Sequence, residues 1–296
     1  MLVPDDILRY LPFAALSDGK QYLIEHYALA IHTEVAIGAL DVKPKVGQWQ
    51  VDAFGVSQAW PNHKALPAVP LEMDSVKQAL GDKRSRIKLD PAFTELSLLD
   101  AIKGNGQPGV MHVASHFKFI TGSDESYLLL GDGQTLSLGA IKKKRVRFDR
   151  VDLLALSACE TAVGEGKNDI GIEVEGLGVL AQRQGAHAVL ATLRQVTDTS
   201  TAQLMGEFYR QRLQGNAITK AQALQQAQLA LLNGNTQSQN ATASASPGAT
   251  MDASQEDNRG LPQPKPATNP STAADPNRPW AHPFFWAPFV LMGNWL

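Results

Sequence analysis

Two residues whose types can form a nucleophile and its base each lie at the end of a short apolar stretch. Cys159, the only cysteine among 296 residues, comes soon after the apolar segment 151–156, and the apolar run 109–117 carries His116 near its carboxyl end. A thiol becomes an effective nucleophile at neutral pH when a base or a nearby positive charge favours the thiolate. One cysteine with a separate histidine is therefore a candidate catalytic pair. The alternative is a buried cysteine that acts only as a small hydrophobic residue.

The segments that carry this pair have the pattern of buried parallel strands. Both are short apolar runs, and the cysteine is followed by a glycine-rich polar loop over residues 162–171. Such runs, bounded by turn signals, predict strands. In open parallel sheets, ligands bind beyond the carboxyl ends of the strands. If the two strands are neighbours, His116 and Cys159 emerge side by side at one edge of the sheet.

Strands and helices alternate along the rest of the chain, which predicts an α/β fold with a mostly parallel sheet flanked by helices. Further strands are expected at 50–56, 187–193 and 289–292. Amphipathic helices are expected at 71–80, 93–102, 174–184, 198–213 and 218–232. The apolar runs on either side of Gly131-Asp-Gly133 predict a β-hairpin over 127–138. Residues 22–31 fit a strand pair or a short helix equally well.

Residues 233–279 differ in composition from the remainder. They are rich in Gln, Asn, Ser, Thr, Ala and Pro and almost lack apolar anchors, so they cannot bury enough surface to offset the entropy of ordering. The following segment from Trp280 to Met292 is apolar and aromatic and must fold back onto the domain. We therefore expect one domain over 1–296 that contains a disordered insertion before its last strand.

Composition excludes several classes of protein. Hydrophobic content is 44%, charged content 19% and net charge −2, which argues against a dedicated nucleic-acid binder. A single cysteine excludes an intrachain disulfide and fits a reducing compartment. Neither a signal peptide nor a segment of transmembrane length is evident. We therefore expect a cytoplasmic location and neither nucleic acid nor membrane as a partner.

Two local features have both a functional and a structural interpretation. The basic run 142–147 could be an anion-binding patch, but no aromatic residue is interleaved with it, which favours a solvated helix end. His112, His116 and Cys159 have the residue types of a zinc site but lack its spacing. Since no Walker loop or dinucleotide fingerprint is present either, we expect no metal and no cofactor.

Several separated motifs occur in an order that resembles a known family. They are Leu8-Arg-Tyr-Leu-Pro-Phe-Ala-Ala-Leu16, His112-Val-Ala-Ser-His116, the hairpin at 127–138, Leu156-Ser-Ala-Cys-Glu-Thr161, Gly176-Leu-Gly-Val-Leu-Ala181, Ala188-Val-Leu-Ala-Thr-Leu193, Phe208-Tyr209 and His282-Pro-Phe-Phe-Trp-Ala-Pro-Phe-Val-Leu-Met-Gly293. The chain resembles the CHAT domain, a caspase-like peptidase family commonly found behind tetratricopeptide repeats in bacteria. The resemblance covers nearly the whole chain apart from the insertion. It implies a caspase-like fold and, for this chain, a longer protein with regulatory repeats on the amino-terminal side.

The resemblance also implies roles for individual residues. His116 would be the general base and acid, and Cys159 the nucleophile that forms a thioester. The backbone N–H groups of Cys159 and Phe117 would hold the oxyanion. Many relatives have glycine at the position of Phe117. A backbone N–H donor does not depend on the side chain, so we expect it to be retained, and we expect the larger Phe117 side chain to narrow the cleft. His112 is expected to be a supporting or core residue.

Two departures from the family pattern concern the substrate. Relatives often have Leu-Trp-Pro-Val where this chain has Leu193-Arg-Gln-Val196; Arg194 either binds an acidic or polar substrate group or is a surface residue. Some caspase-like relatives that cut after basic residues place an aspartate two positions before the cysteine. Here that position is Ser157, which gives no support for a basic substrate preference. Asp152 and Glu160 are further candidates for shaping the pocket.

The leading hypothesis is a cysteine endopeptidase that acts on a protein or peptide substrate and is latent until a partner or the upstream repeats activate it. The glycine-rich loop 164–171 and the insertion are the candidate mobile parts. One alternative is a catalytically silent CHAT scaffold or interaction module. Another is a different thiol enzyme, such as an amidase or acyltransferase.

Overall fold

The structure of the protein, a computed structural model, describes most of the chain. The described residues are 1–4, 8, 11–33, 49–103, 109–118, 120, 123–158, 177–194, 196, 198–213, 218–236, 275 and 277–296. The strands are β1 Val51–Gly55, β2 Ser85–Leu89, β3 Gly109–Ala114, β4 Phe117–Lys118, β5 Tyr127–Leu129, β6 Thr135–Ser137, β7 Val151–Ala158, β8 Ala188–Thr192 and β9 Phe289–Gly293. The helices are α1 Leu23–His26, α2 Val69–Leu80, α3 Glu95–Lys103, α4 Leu138–Lys143, α5 Val179–Arg183, α6 Asp198–Leu213 and α7 Lys220–Asn233.

Six strands form one sheet in the order β2-β1-β3-β7-β8-β9. The first five are parallel to their neighbours, and β9 pairs antiparallel with β8. Neighbouring parallel strands need crossover connections, and the helices between them supply these. The expected α/β class, with a mostly parallel sheet flanked by helices, is confirmed.

Both faces of the sheet are covered, which explains why its strands are apolar runs instead of alternating ones. One face packs against α2, α6 and α7, and the other against α3, α4 and α5. Along β7, Leu153 and Ala155 belong to the first layer of core, and Leu154 and Leu156 belong to the second. The central strands are therefore buried on both sides, and polar groups can meet solvent only at the two edges where the strands begin and end.

The β-hairpin expected at 127–138 is present as the antiparallel pair β5 and β6. It is part of a second, three-stranded sheet because β4 pairs with β5. The run 109–117 was expected to form one continuous strand, and this expectation was wrong. The strand ends at Ala114, where its register with β7 shifts, and Phe117 begins β4 in the other sheet.

The remaining elements follow the expected order with small differences. The undecided segment 22–31 contains the short helix α1, and its last residue, Ile31, makes a parallel bridge to Met292 of β9. Helix α5 begins at Val179, and residues 174–176 of the expected helix lie outside the described residues. The insertion expected at 233–279 also falls mainly outside them, since only 233–236, 275 and 277–279 are described. No helix in the described ranges has the combination of length and apolar character that is needed to cross a membrane.

Candidate active site at the carboxyl edge of the sheet

The strands that lead to the candidate pair are neighbours. β3 pairs in parallel with β7, and the last pair in the register is Ala114 with Ala158. His116 lies two residues beyond the end of β3, and Cys159 is the residue after β7. Cys159 and Glu160 lie outside the described residues. The structure therefore describes the two strand ends and the histidine, and the chain leaves β7 toward Cys159 at the edge where His116 sits.

The imidazole of His116 is almost fully buried, at 1% exposure. Its Nε2 lies 2.8 Å from the backbone carbonyl oxygen of Lys64. A carbonyl can only accept a hydrogen bond, so in the neutral ring the proton is on Nε2 and the lone pair is on Nδ1. The Lys64 carbonyl thus selects a tautomer in which Nδ1 is the basic nitrogen.

A second histidine packs against this ring. The His63 and His116 ring centroids are 4.9 Å apart, with an interplanar angle of 40°. Nε2 of His63 lies 3.2 Å from the hydroxyl oxygen of Tyr127, and those two rings meet edge to face at 5.9 Å. Two successive residues, His63 and Lys64, therefore contact His116, one by its side chain and the other by its backbone.

The loop that carries these two residues is fixed at several points. Its first residue, Ser57, donates from its backbone N–H and from its hydroxyl to the carboxylate of Asp90, at 2.7 and 2.6 Å. Trp60 and His63 exchange two backbone hydrogen bonds of 3.0 and 2.8 Å. The Trp60 ring lies so close to Gly133 that a Cβ there would come within 2.3 Å of it, so only glycine fits. The loop is thereby fixed at the carboxyl ends of β1 and β2 and against the small sheet.

The segment around His116 is held by the small sheet as well. The carbonyl of His116 accepts from the Leu129 N–H at 2.9 Å, and the Ser115 hydroxyl donates to the Leu129 carbonyl at 2.7 Å. In an antiparallel ladder this bond makes Phe117 and Leu128 a non-hydrogen-bonded pair, so the Phe117 N–H is not used by β5. The Phe117 ring is buried in the core layer shared with Phe54 and Leu128. The expectation that this ring narrows the cleft is therefore wrong.

The two residues expected to contact substrate lie at the same edge. Ser157 is the penultimate residue of β7, is 5% exposed, and its Oγ has no hydrogen-bond partner within the described residues. Arg194 lies two residues beyond β8 and is partly buried. Its guanidinium stacks 3.9 Å from the Phe284 ring centroid and donates to the Phe284 carbonyl at 3.1 Å. Burial lowers the pKa of Arg194.

His112 has a structural environment, as expected for a core residue. It is fully buried, with Nδ1 3.0 Å from the Tyr209 hydroxyl and Nε2 3.0 Å from Oε1 of Glu72. Burial, together with the negative charge of Glu72, raises the pKa of Tyr209 well above its usual value. Within the described ranges, no group of three or more His, Cys, Asp or Glu side chains is arranged to hold a metal ion.

Asp152 does not shape a pocket beside Cys159, because it lies at the opposite end of β7. Its carboxylate accepts from Lys220 Nζ at 3.0 Å and from the Trp49 indole at 2.8 Å, and His187 Nδ1 is 3.5 Å away. Asp152 and Lys220 are buried, at 2% and 0% exposure. Burial acts to raise the pKa of Asp152, but its contacts with His187, Lys220 and Trp49 outweigh burial and hold that pKa below the usual value.

The basic run 142–147 is the end of α4 and the turn that follows it. Lys142 pairs with Asp124, Lys144 with Glu95, and Arg147 with Asp149 at 2.8 Å. These carboxylates neutralise part of the local positive charge, which supports the interpretation as a solvated helix end.

Comparison with known proteins adds the family. The CHAT domain family matches residues 1–294, and this chain therefore belongs to the CHAT domain family. Among solved structures, the complex of Porphyromonas gingivalis RgpB pro- and mature domains is similar with a TM-score of 0.43 and 10% sequence identity over 84% of this chain. The match spans about half, 48%, of that chain. No curated protein is significantly similar to this chain in sequence.

The residues that contact His116 have no distinctive sequence pattern. The segment 60–67 was recognisable only as a loop, and the contribution of Lys64 is a backbone carbonyl, which has no side-chain signature. His63 is distant in sequence both from His116 and from Tyr127, which holds its other side. A histidine inside a loop with two prolines was the available signal, and it does not specify a partner.

Proposed function

We propose that this CHAT domain is a cysteine endopeptidase in which Cys159 is the nucleophile and His116 is the general base and acid. The observation that carries the proposal is the pairing of β3 with β7, whose register ends at Ala114 and Ala158. Since side chains that follow neighbouring parallel strands emerge at one edge, this pairing supports contact between the two residues. The burial of His116 and its bond to the Lys64 carbonyl are those expected of an oriented base.

The proposed reaction follows from the tautomer of His116. Nδ1 accepts the proton of the Cys159 thiol, and the thiolate attacks the carbonyl carbon of the scissile peptide bond. When the tetrahedral intermediate collapses, the C–N bond breaks, the imidazolium protonates the leaving amine, and a thioester remains. Water then attacks the thioester with His116 as base, which releases the carboxylic acid and restores the thiol. The Lys64 carbonyl stabilises the imidazolium by accepting from Nε2 throughout.

We assign the oxyanion contacts to the backbone N–H groups of Phe117 and Cys159. The position of Phe117 supports this, since its N–H is left out of the ladder with β5 and its side chain is buried in the core. Backbone donors that are already oriented stabilise the charge of the transition state without reorganisation.

We assign substrate recognition to Arg194 and Ser157. Ala155 pairs with Leu190 in the β7–β8 register, and Cys159 and Arg194 each come four residues later in the chain, just beyond the ends of β7 and β8. Arg86, Arg147, Arg210 and Arg278 pair with carboxylates, whereas Arg194 is held only by Phe284 among the described residues. A partly desolvated guanidinium without a carboxylate is suited to an acidic or polar substrate group. The uncharged Ser157 hydroxyl gives no attraction for a basic group.

We further infer that the enzyme is latent until upstream repeats or a partner protein activate it. The candidate mobile segments, residues 164–171 and most of the insertion at 233–279, lie outside the described residues. Activation would then be a shift in population from a closed to an open cleft.

The test is cleavage of a diverse peptide library by the purified protein, beside C159A and H116A, with product termini identified by mass spectrometry. We expect cleavage by the wild type only, with enrichment of acidic or polar residues at one subsite that R194M abolishes. Cleavage that persists in C159A would contradict the proposal. No cleavage, together with a thiol that does not react with electrophilic peptide probes even when the upstream region is supplied, would favour the scaffold alternative.

A further inference from the structure

A second histidine belongs to the candidate site. The ring of His63 lies against that of His116, with centroids 4.9 Å apart, although it has no place in the proposed peptidase chemistry. The Tyr127 hydroxyl holds the other side of His63 at Nε2, at 3.2 Å. His63 is thus placed between a strand of the small sheet and the candidate base.

The position of His63 in the chain links its side chain to a backbone contact. The next residue, Lys64, supplies the carbonyl that accepts from His116 Nε2 at 2.8 Å. The two backbone bonds between Trp60 and His63 close a tight turn just before this carbonyl, and Asn62 within it adopts a left-handed φ of 65°. The His63 ring and the Lys64 carbonyl that selects the His116 tautomer are therefore carried by adjacent residues at one tight turn.

We propose that His63, anchored by Tyr127, is a positioning residue that keeps the His116 ring and the Lys64 carbonyl aligned for their hydrogen bond. Its face limits rotation of the His116 imidazole, and its backbone keeps the carbonyl within hydrogen-bond distance of Nε2. This inference rests on the proposed function for its catalytic consequence, because a misoriented base slows proton transfer. Its structural part concerns only the tautomer and orientation of His116.

The structural part is tested by long-range ¹H–¹⁵N correlation spectra of ¹⁵N-histidine-labelled protein at about pH 8, where an unperturbed imidazole is neutral. All variants carry C159A, so that no thiolate perturbs His116. The set of cross-peaks that disappears when H116A is added is assigned to the His116 imidazole. With His63 present, we expect protonated Nε2 and unprotonated Nδ1. In H63A, the two shifts should converge as the tautomers mix. Y127F should give a smaller change in the same direction.

Two further variants separate positioning from general damage. H63F retains a ring against His116 and should restore most of the separation between the two nitrogen shifts. H26A removes an exposed histidine of α1 and should leave the His116 signals unchanged. Urea unfolding curves identify any variant that is not folded. If H63A is unfolded, the H63F and Y127F spectra decide whether His63 positions the His116 ring.

The catalytic part is measured with Cys159 intact. We expect kcat to fall about tenfold in H63A, with KM within about twofold of wild type, since misorientation of a catalytic group affects the chemical step. His116 nitrogen shifts that are the same in H63A, Y127F and wild type would overturn the inference. If the wild type cleaves no peptide and its thiol stays unreactive even with the upstream region supplied, the proposed function fails, and the spectra still decide the role of His63.

Discussion

Polar residues are used differently at the two ends of the parallel strands: the amino edge, where the strands begin, and the carboxyl edge, where they end. At the amino edge, Asp152 at the start of β7 is buried with Lys220 and the Trp49 indole, so its charge is matched inside the protein. At the carboxyl edge of the same strand, the hydroxyl of Ser157 is buried with no hydrogen-bond partner within the described residues, and Arg194 has a ring and a carbonyl but no carboxylate there. The first edge pairs its buried charges within the protein, and the second carries the residues that we propose contact substrate.

His112 in β3 and His116 just beyond its end, four residues apart, show the same contrast. His112 lies in the core between Glu72 and Tyr209. His116 lies beyond the strand end, among loop and backbone groups that orient it. Residue type therefore does not distinguish the structural histidine from the candidate base; position relative to the strand end does.

The largest expected effect on stability is at the amino edge. Asp152→Asn leaves the Lys220 ammonium buried without its anion, and we expect the free energy of unfolding to fall by about 3–5 kcal/mol. Urea denaturation measures the change. The double variant D152N/K220M removes the buried charge as well and should recover most of the loss; failure to recover would show that the pair is not the source of the effect.

The next effect separates the two histidines. His112→Ala leaves buried Glu72 without its partner and creates a cavity, so we expect unfolding to become easier by about 3 kcal/mol. His116→Ala removes a buried ring and its bond to the Lys64 carbonyl but leaves no buried carboxylate without a partner, so it should cost less, about 1–2 kcal/mol. Thermal unfolding of the two variants provides the comparison. Equal losses would contradict the distinction between a core and a site histidine.

The amino edge also predicts a dependence of stability on pH. The pKa of Asp152 is lowered in the folded protein, so its contribution is present above the unfolded value of about 3.9 and is lost as the pH falls through the folded pKa. The difference in unfolding free energy between wild type and D152N should therefore narrow below about pH 4, because the protonated carboxyl group resembles the amide. A difference that stays constant down to about pH 2 would contradict the assigned ionisation.

The smallest effect is expected at the carboxyl edge. Ser157→Ala removes a buried hydroxyl that has no partner in the described structure, so the variant should be neutral or more stable by up to about 1 kcal/mol. Ser137→Ala is a matched control, because its hydroxyl caps α4 by accepting from the Ala140 N–H at 3.1 Å, and it should lose about 1 kcal/mol. Calorimetry on both variants measures the difference. A substantial loss in S157A would show that the hydroxyl is structural.

Much of the fold could be predicted from the sequence, because hydrophobic patterning and turn residues are local signals. The apolar runs that became β3, β7 and β8, the hairpin around Gly131 and Gly133, and a last strand at 289–292 were all predicted, and the structure confirms them. The antiparallel direction of that last strand was not predicted. The parallel pairing of β3 with β7 was a condition of the candidate site, and it holds.

What could not be predicted depends on contacts between distant residues. Trp49, Asp152 and Lys220 meet at the amino edge, although they are separated by more than sixty residues each, so Asp152 was wrongly considered for the pocket. Strand β3 ends at Ala114, beside a register shift with β7, and Phe117 belongs to another sheet. No residue type in this segment predicts that shift. The Lys64 carbonyl and the His63 ring reach His116 by way of a loop whose path is set by Asp90, Trp60 and Gly133.

The most direct test of the proposed pair uses the single cysteine of the chain. The rate of alkylation by iodoacetamide, measured between about pH 5 and 10, reports the thiolate fraction of Cys159 alone. For the wild type, we predict a midpoint well below the ordinary thiol pKa of about 8.5, moving up toward that value in H116A. Identical profiles in wild type and H116A would contradict a Cys159–His116 pair.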